Sequence, residues 1–190
     1  NNKINPLIVI CSTSEVYGQV SKKDIPIKET KSINPVNPYS VSKAFQDLLS
    51  QVYFKSYGLK IIITRMFSYV NARKNNLFQT AFAKQIVDIE KGKKKILTHG
   101  NLSSVRNIID ISDAMEAYWL AAKRGKIGEI YNISGKKVIS VGNYLKELKK
   151  LSSVKIKSKI DKKLLRPVDV TLQIANTNKF IEDTRWSPKI

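Results

Sequence analysis

A doubly wound α/β fold is what the sequence predicts, and three observations predict it. The run Leu7-Ile-Val-Ile10 is apolar and mostly β-branched, bounded by Pro6 and a polar turn, as a buried parallel strand is. A long amphipathic segment follows and stops at Gly58. A second apolar run, Ile61-Ile-Ile-Thr64, comes directly after that glycine. Strand, loop, helix and strand in this order give a parallel pair joined by a crossover.

Taken in order, Leu7 to Ser12 is the first expected strand. Residues 18–38 carry Pro26, Pro35 and Pro38 and read as loop. Tyr39 to Tyr57 reads as a helix with the apolar stripe Val41, Ala44, Phe45, Leu48, Leu49 and Val52. Lys60 to Phe67 is the second strand. Helices are expected over Phe78 to Lys91 and Asp113 to Lys123, and short strands near Ile96-Leu97 and from Glu129 to Ile133. Ser140 has the chemistry of an N-cap for a helix through Leu151. Val154 to Ile160 alternates apolar and polar residues, as a strand does, and Asn176 or Thr177 opens a last short helix.

The 190 residues suffice for a sizeable core, and 42% hydrophobic with 26% charged residues fits a soluble globular protein. No apolar run approaches the ~20 residues a membrane span needs, and Asn1 to Pro6 has no signal-peptide pattern, so no membrane partner and a cytoplasmic location are expected. Cys11 is the only cysteine. It excludes an intrachain disulfide, suits a reducing compartment, and is expected to be a buried strand thiol. The formal net charge is +19, and its densest runs are Lys91-Gly-Lys-Lys-Lys95, Lys146 to Lys150 and Lys155 to Lys163. Aromatic residues do not interleave with them, and no zinc spacing or RNA-binding signature is present. The lysines therefore read as solvated surface, with no nucleic acid as partner. One histidine and one cysteine leave no metal cluster and no Ser-His-Asp triad.

Two motifs carry the chemistry. In Tyr39-Ser-Val-Ser-Lys43 a phenol and an ammonium stand four residues apart and share one helix face. A nearby cation favours the phenolate, which makes a usable general acid/base. Upstream, Ser12-Thr-Ser-Glu-Val-Tyr-Gly18 follows the first strand directly.

Together these motifs resemble the extended short-chain dehydrogenase/reductase family, the NAD-dependent nucleotide-sugar epimerases, dehydratases and reductases. Phe82 to Glu90, Gly100 to Asn107, Asp110 to Asp113, Gly128 to Gly135, Leu165 to Val170 and the ending Trp186-Ser-Pro-Lys-Ile190 are similar to the family as well. Within it the chain is most similar to the GDP-6-deoxy-4-ketohexose reductases, then to the GDP-mannose 4,6-dehydratases.

The resemblance implies the C-terminal part of a Rossmann-type doubly wound parallel sheet plus a small α/β substrate-binding region. Residues 1–70 would supply late strands and the catalytic helix, and 71–190 mainly the substrate region. No G-x-x-G-x-x-G turn precedes the motifs, so the chain is expected to lack the family's N-terminal part and to be inactive alone. It implies Tyr39 as acid/base, and Lys43 as its activator and as a ligand of the nicotinamide ribose of NAD or NADP. Thr13 would bond the sugar O4, with Ser14 and Glu15 beside it. Arg106 and Arg166 are the candidates for the substrate diphosphate, since a guanidinium fork matches phosphate oxygens. Lys84 and Asn101 fall where the family surrounds the nucleotide base.

One stretch departs from the family. Where it reads F/Y-N-x-x-G-P, this chain has Phe67-Ser-Tyr-Val-Asn-Ala72, which puts Ser68 in place of a sugar-contacting asparagine. The expected reaction is reduction of a GDP-4-keto-6-deoxyhexose at C4. The alternatives are a 4,6-dehydratase or epimerase, and an inactive fragment acting as a binding or assembly module. A homodimer is expected for the full-length protein, through Phe45, Leu49, Val52 and Phe54 of one helix and Phe82 and Ile86 of another.

Overall fold

The computed structural model of the chain describes residues 4–74, 77–165 and 167–190. Strand β1 (Ile8–Thr13) leads through two short 3-10 turns to helix α1 (Pro38–Tyr57) and strand β2 (Ile61–Met66). Then come β3 (Ser68–Val70), α2 (Phe78–Glu90), β4 (Leu97–His99), β5 (Val105–Asp110) and α3 (Ile111–Arg124). The chain continues through β6 (Ile130–Ile133), β7 (Lys137–Ser140), α4 (Val141–Lys150), β8 (Ser158–Ile160), β9 (Leu172–Gln173) and α5 (Asn178–Thr184).

β1, β2 and β6 form one sheet in that order, all parallel, with Ile8 opposite Ile61 and Thr13 opposite Met66. β2 is buried along its whole length, which its apolar run anticipates. A second sheet centres on β5, parallel to β3 and β9 and antiparallel to β7. β4 and β8 pair in parallel as a third.

Local chemistry sets the helix ends. Pro38 opens α1 with its preset φ, and Asn37 caps it by accepting from the Ser40 amide. Gly58 closes it at φ 66°, its N–H returning to the Phe54 carbonyl. Ser140 caps α4 by accepting from the Asn143 amide, as expected.

Three apolar clusters hold the sheets and helices together. α3 lays Ala114, Ala117 and Ala121 on β2 and β6, small residues that let helix and sheet approach closely, and Phe180 and Trp186 close that core. Val16, Tyr17, Ile27, Ala44 and Phe67 pack below the β1 end. α2 and α4 cover β4 and β8 with Phe82, Ile86, Leu97, Leu145 and Ile156. Among the described residues no helix is long and apolar enough to cross a membrane.

Three expectations fail, those on Cys11, on Phe82 and Ile86, and on the strand over 154–160. The apolar stripe of α1 faces outward. Val41, Phe45, Leu48, Leu49 and Val52 are exposed, and of the six only Ala44 is buried. The sheet presents the polar Ser12 and Arg65 to α1, so the inward positions go to Ser40, Asp47 and Ser50. Cys11 is exposed, because among the described residues β1 is an edge strand paired with β2 alone. Phe82 and Ile86 are interior residues of the third core and offer no surface to a second copy. The strand expected over 154–160 is only Ser158–Ile160, the three residues that pair in register with the three of β4. Strands β3, β5, β7 and β9 had no sequence signal, being short or mixed in polarity.

Candidate active site

The site begins where β1 runs out. Thr13 ends the strand, and its Oγ1 accepts from the Glu15 amide at 3.4 Å, capping the 3-10 turn Ser14–Tyr17. Gly18 closes that turn at φ 64°, where a Cβ would lie 1.9 Å from the Asn34 carbonyl oxygen. The motif glycine is thus demanded both by conformation and by close approach. Ser14 Oγ donates to Gln173 Oε1 at 3.2 Å, tying the turn to β9.

The first turn of α1 is tied to the same place. Asn37, its cap, donates from Nδ2 to Glu15 Oε2 at 3.0 Å. One turn further on, Lys43 Nζ donates to the Cys11 carbonyl at 2.8 Å and to Gln46 Oε1 at 3.2 Å. The ammonium therefore stands at the open edge of β1, two residues before Thr13. Tyr39 lies one turn N-terminal of Lys43 on α1, its side chain half exposed. Ser68 comes two residues after Met66, the register partner of Thr13, so it sits at the same sheet end, and it accepts from the buried Gln79 Nε2 at 2.8 Å. Thr13, Ser14, Glu15, Lys43 and Ser68 thus gather at the C-terminal end of the parallel sheet, where open α/β folds bind ligands.

A second group lies beside the β4–β8 pair, at the partners His99 and Ile160. His99, Gly100, Asn101, Leu102, Ile160, Leu165 and Asp169 line an open cleft of about 360 Å³. Asn101 Nδ2 donates to Asp169 Oδ2 at 2.8 Å, and Ser104 Oγ donates to the same oxygen at 3.2 Å. The Arg106 guanidinium donates to the Val105 carbonyl at 3.1 Å and also to the Val170 carbonyl, which holds it against the segment carrying Asp169. Arg166 lies outside the described residues. Lys84 is exposed on α2, ion-paired with Asp88 at 3.1 Å, and is not among the residues lining the cleft.

Sequence reasoning passed over three groups. Asn37 had a signal, a capping residue directly before Pro38. Asp169 had a weaker one, its place three residues after Arg166 in a family-like segment. The third is a buried polar network under the site. Arg65 donates from Nε to Asp47 Oδ2 at 2.9 Å and from Nη2 to Asp47 Oδ1 at 3.0 Å. Its Nη1 donates to Tyr17 Oη at 3.0 Å, and Tyr17 Oη donates to Asn132 Oδ1 at 2.7 Å. Burial pushes the Tyr17 hydroxyl up to about 12, more than the neighbouring Arg65 pulls it down, so it stays neutral and can donate. For Arg65 burial acts downward, but the hydrogen bond to Asp47 and the charges around it win and hold it above its ordinary value.

Comparison with known proteins gives one family. The family model for GDP-mannose 4,6 dehydratase matches residues 2–190. The GDP-6-deoxy-D-mannose reductase of Pseudomonas aeruginosa is 24% identical over 181 residues, covering 94% of this chain and 60% of that protein. The human dTDP-D-glucose 4,6-dehydratase is 28% identical over 187 residues, covering 96% of this chain and 52% of that one. Among solved structures, that of RMD from Pseudomonas aeruginosa complexed with NADPH superposes with a TM-score of 0.90 at 23% identity, over 99% of this chain and 63% of that one. The UDP-glucuronic acid 4-epimerase of Bacillus cereus, in complex with UDP-glucuronic acid and NAD, gives 0.83 at 26% identity, over 96% and 56%. The chain thus spans between half and two thirds of the length of these relatives.

Proposed function

The chain belongs to the GDP-mannose 4,6 dehydratase family, and from that membership we propose that it is part of a nucleotide-sugar oxidoreductase that reduces a GDP-linked 4-keto-6-deoxyhexose at C4. The observation that carries the reading is the convergence of the β1 end and the first turns of α1: Lys43 is bonded to Cys11, and Asn37 to Glu15. The neighbouring Pseudomonas aeruginosa reductase supports the substrate class.

The residues present fit the nicotinamide end of NAD or NADP. Lys43, bonded to the Cys11 carbonyl, and the half-exposed Tyr39 one helical turn before it would hold its ribose, while the described residues include no Gly-rich turn for the pyrophosphate. When bound, the dinucleotide supplies the hydride for C4. Thr13 bonds the sugar O4, Tyr39 gives O4 its proton, and Lys43 steadies the phenolate left behind. Ser14 is held back by Gln173, and Glu15 is an acceptor fixed by Asn37. Arg106 and Arg166 take the diphosphate, and Asn101, with Asp169, takes the nucleoside in the cleft beside β4. Lys84 would reach it only by leaving Asp88. Ser68 replaces an amide contact to the sugar with a hydroxyl one. We assign the protein to the cytoplasm, and its outward α1 stripe to a second copy of the same chain.

The test is turnover of a GDP-4-keto-6-deoxyhexose by the whole protein with NADH or NADPH. Tyr39→Phe should lower kcat by about 10²-fold or more with little change in KM, because it removes the proton and little binding surface. Undiminished turnover in Tyr39→Phe would overturn the assignment.

A further inference from the structure

Under the candidate site one buried carboxylate joins three elements that the chemistry needs in fixed relation. Asp47 is 0% exposed. Its Oδ2 accepts from Ser12 Oγ at 2.8 Å and from Arg65 Nε, while Oδ1 accepts from Arg65 Nη2 and from Gln51 Nε2. Ser12 is the residue before Thr13. Arg65 is the partner of Ser12 in the register of β1 with β2. Asp47 stands one helical turn beyond Lys43 and two beyond Tyr39, on the same side of α1.

We propose that Ser12, Asp47 and Arg65 are positioning residues that set the height of Tyr39 and Lys43 against Thr13, an inference that rests on the oxidoreductase reading above. The rest of the inward face of α1 is small: Ser40, Ala44 and Ser50. Such a face packs closely on a sheet but resists sliding poorly, because it has no knobs. Its first turn is held by the Asn37–Glu15 bond, and Asp47 is the next fixed point along the helix. A buried ion pair is weak evidence for stability, since well-packed apolar residues fill the same space as well or better. What the pair adds is direction. The guanidinium fork accepts one planar geometry, and Ser12 adds a bond from the adjoining strand. Arg65 then passes the constraint to Tyr17, at the far end of the turn that carries Ser14 and Glu15. Helix, strand end and turn are locked by one network, in a reaction where a misplacement of about 1 Å can cost about 10²-fold in rate.

The test uses Ser12→Ala in the whole protein, because it removes one hydroxyl and leaves the Arg65–Asp47 pair intact. We expect kcat to fall about tenfold, with KM for the nucleotide sugar within about twofold of the parent. Ser12→Thr, which keeps the hydroxyl, should recover most of the loss. An unchanged kcat in Ser12→Ala, or an equal loss in Ser12→Thr, would overturn the proposal. Amide exchange of residues 38–47 is measured on the same proteins. If the parent turns over no nucleotide sugar, the oxidoreductase reading fails on its own, and exchange still decides the network. Faster exchange there in Ser12→Ala supports positioning, and unchanged exchange refutes it.

Discussion

On α4 the apolar residues Val141, Leu145 and Leu148 turn inward onto Phe82, Leu97 and Ile156, and the lysines face water. On α1 a stripe of equal clarity turns outward, with Phe45 66% exposed, while Asp47 goes to the interior. The difference lies in what each helix meets. α4 meets the side chains of α2 and the β4–β8 pair, which are apolar. α1 meets strands that present Ser12 and Arg65, so only small or polar residues fit beneath it. A hydrophobic stripe states that a surface is to be covered. It does not state that the covering comes from the same fold.

That contrast is broken most strongly at Leu145. Leu145→Ala leaves a cavity in the third core and should cost about 3 kcal/mol in urea unfolding of the protein. Phe45→Ala should change unfolding by no more than about 0.5 kcal/mol, since its side chain packs on little. A comparable loss at both positions would show that the α1 stripe is a core face after all.

The next effect is on association. Phe45→Asp puts a charge in the middle of the exposed stripe formed with Val41, Leu48, Leu49 and Val52. If that stripe meets a second copy of the chain, the variant should weaken the dimer by about 2 kcal/mol, some thirtyfold in Kd, while the monomer stays folded. Sedimentation at micromolar concentration measures it. A parent protein that is monomeric there, or a variant that dimerises as well as the parent, would refute the assignment of α1 to self-association.

The same contrast explains how far the sequence was legible. The strand before Thr13, the helix from Pro38, the caps at Ser140 and Gly58 and the two motifs are all local signals, set by neighbours in the chain. So is the gathering of Thr13, Glu15 and Lys43, because a crossover helix returns its first turns to the end of the strand it left. What could not be read is non-local. Asp47 looks like a solvated acid on a helix until Arg65, 18 residues later, is placed beneath it. Cys11 looks buried because its strand is apolar, yet the strand lies at an edge. β5, whose neighbours are β3, β7 and β9, is a strand because of its partners, and its own sequence, Val-Arg-Asn-Ile-Ile-Asp, says little.

The smallest effect sharpens the comparison on the side of α4. Glu90, at the end of α2, accepts from the Ser153 amide at 2.8 Å and from the Ser152 and Ser153 hydroxyls, so it clasps the turn that follows α4. The Ser153 amide first, and then the two hydroxyls, hold its carboxyl below the usual 4.5. A carboxyl lowered in the folded state stabilises above its unfolded value, and that contribution disappears as pH falls through the folded one. Acidification from pH 6 to below about 4.5 should therefore loosen the turn at 151–154, seen as faster amide exchange there. Glu90→Gln should show that loosening already at pH 6, with less further change on acidification. The exposed location makes the effect small, and it should not reach α1, whose inward anchor is the buried Arg65–Asp47 pair. Identical pH profiles at 151–154 in parent and variant would remove Glu90 as the clasp. A matching change at residues 38–47 would show that the two helices are not independently held.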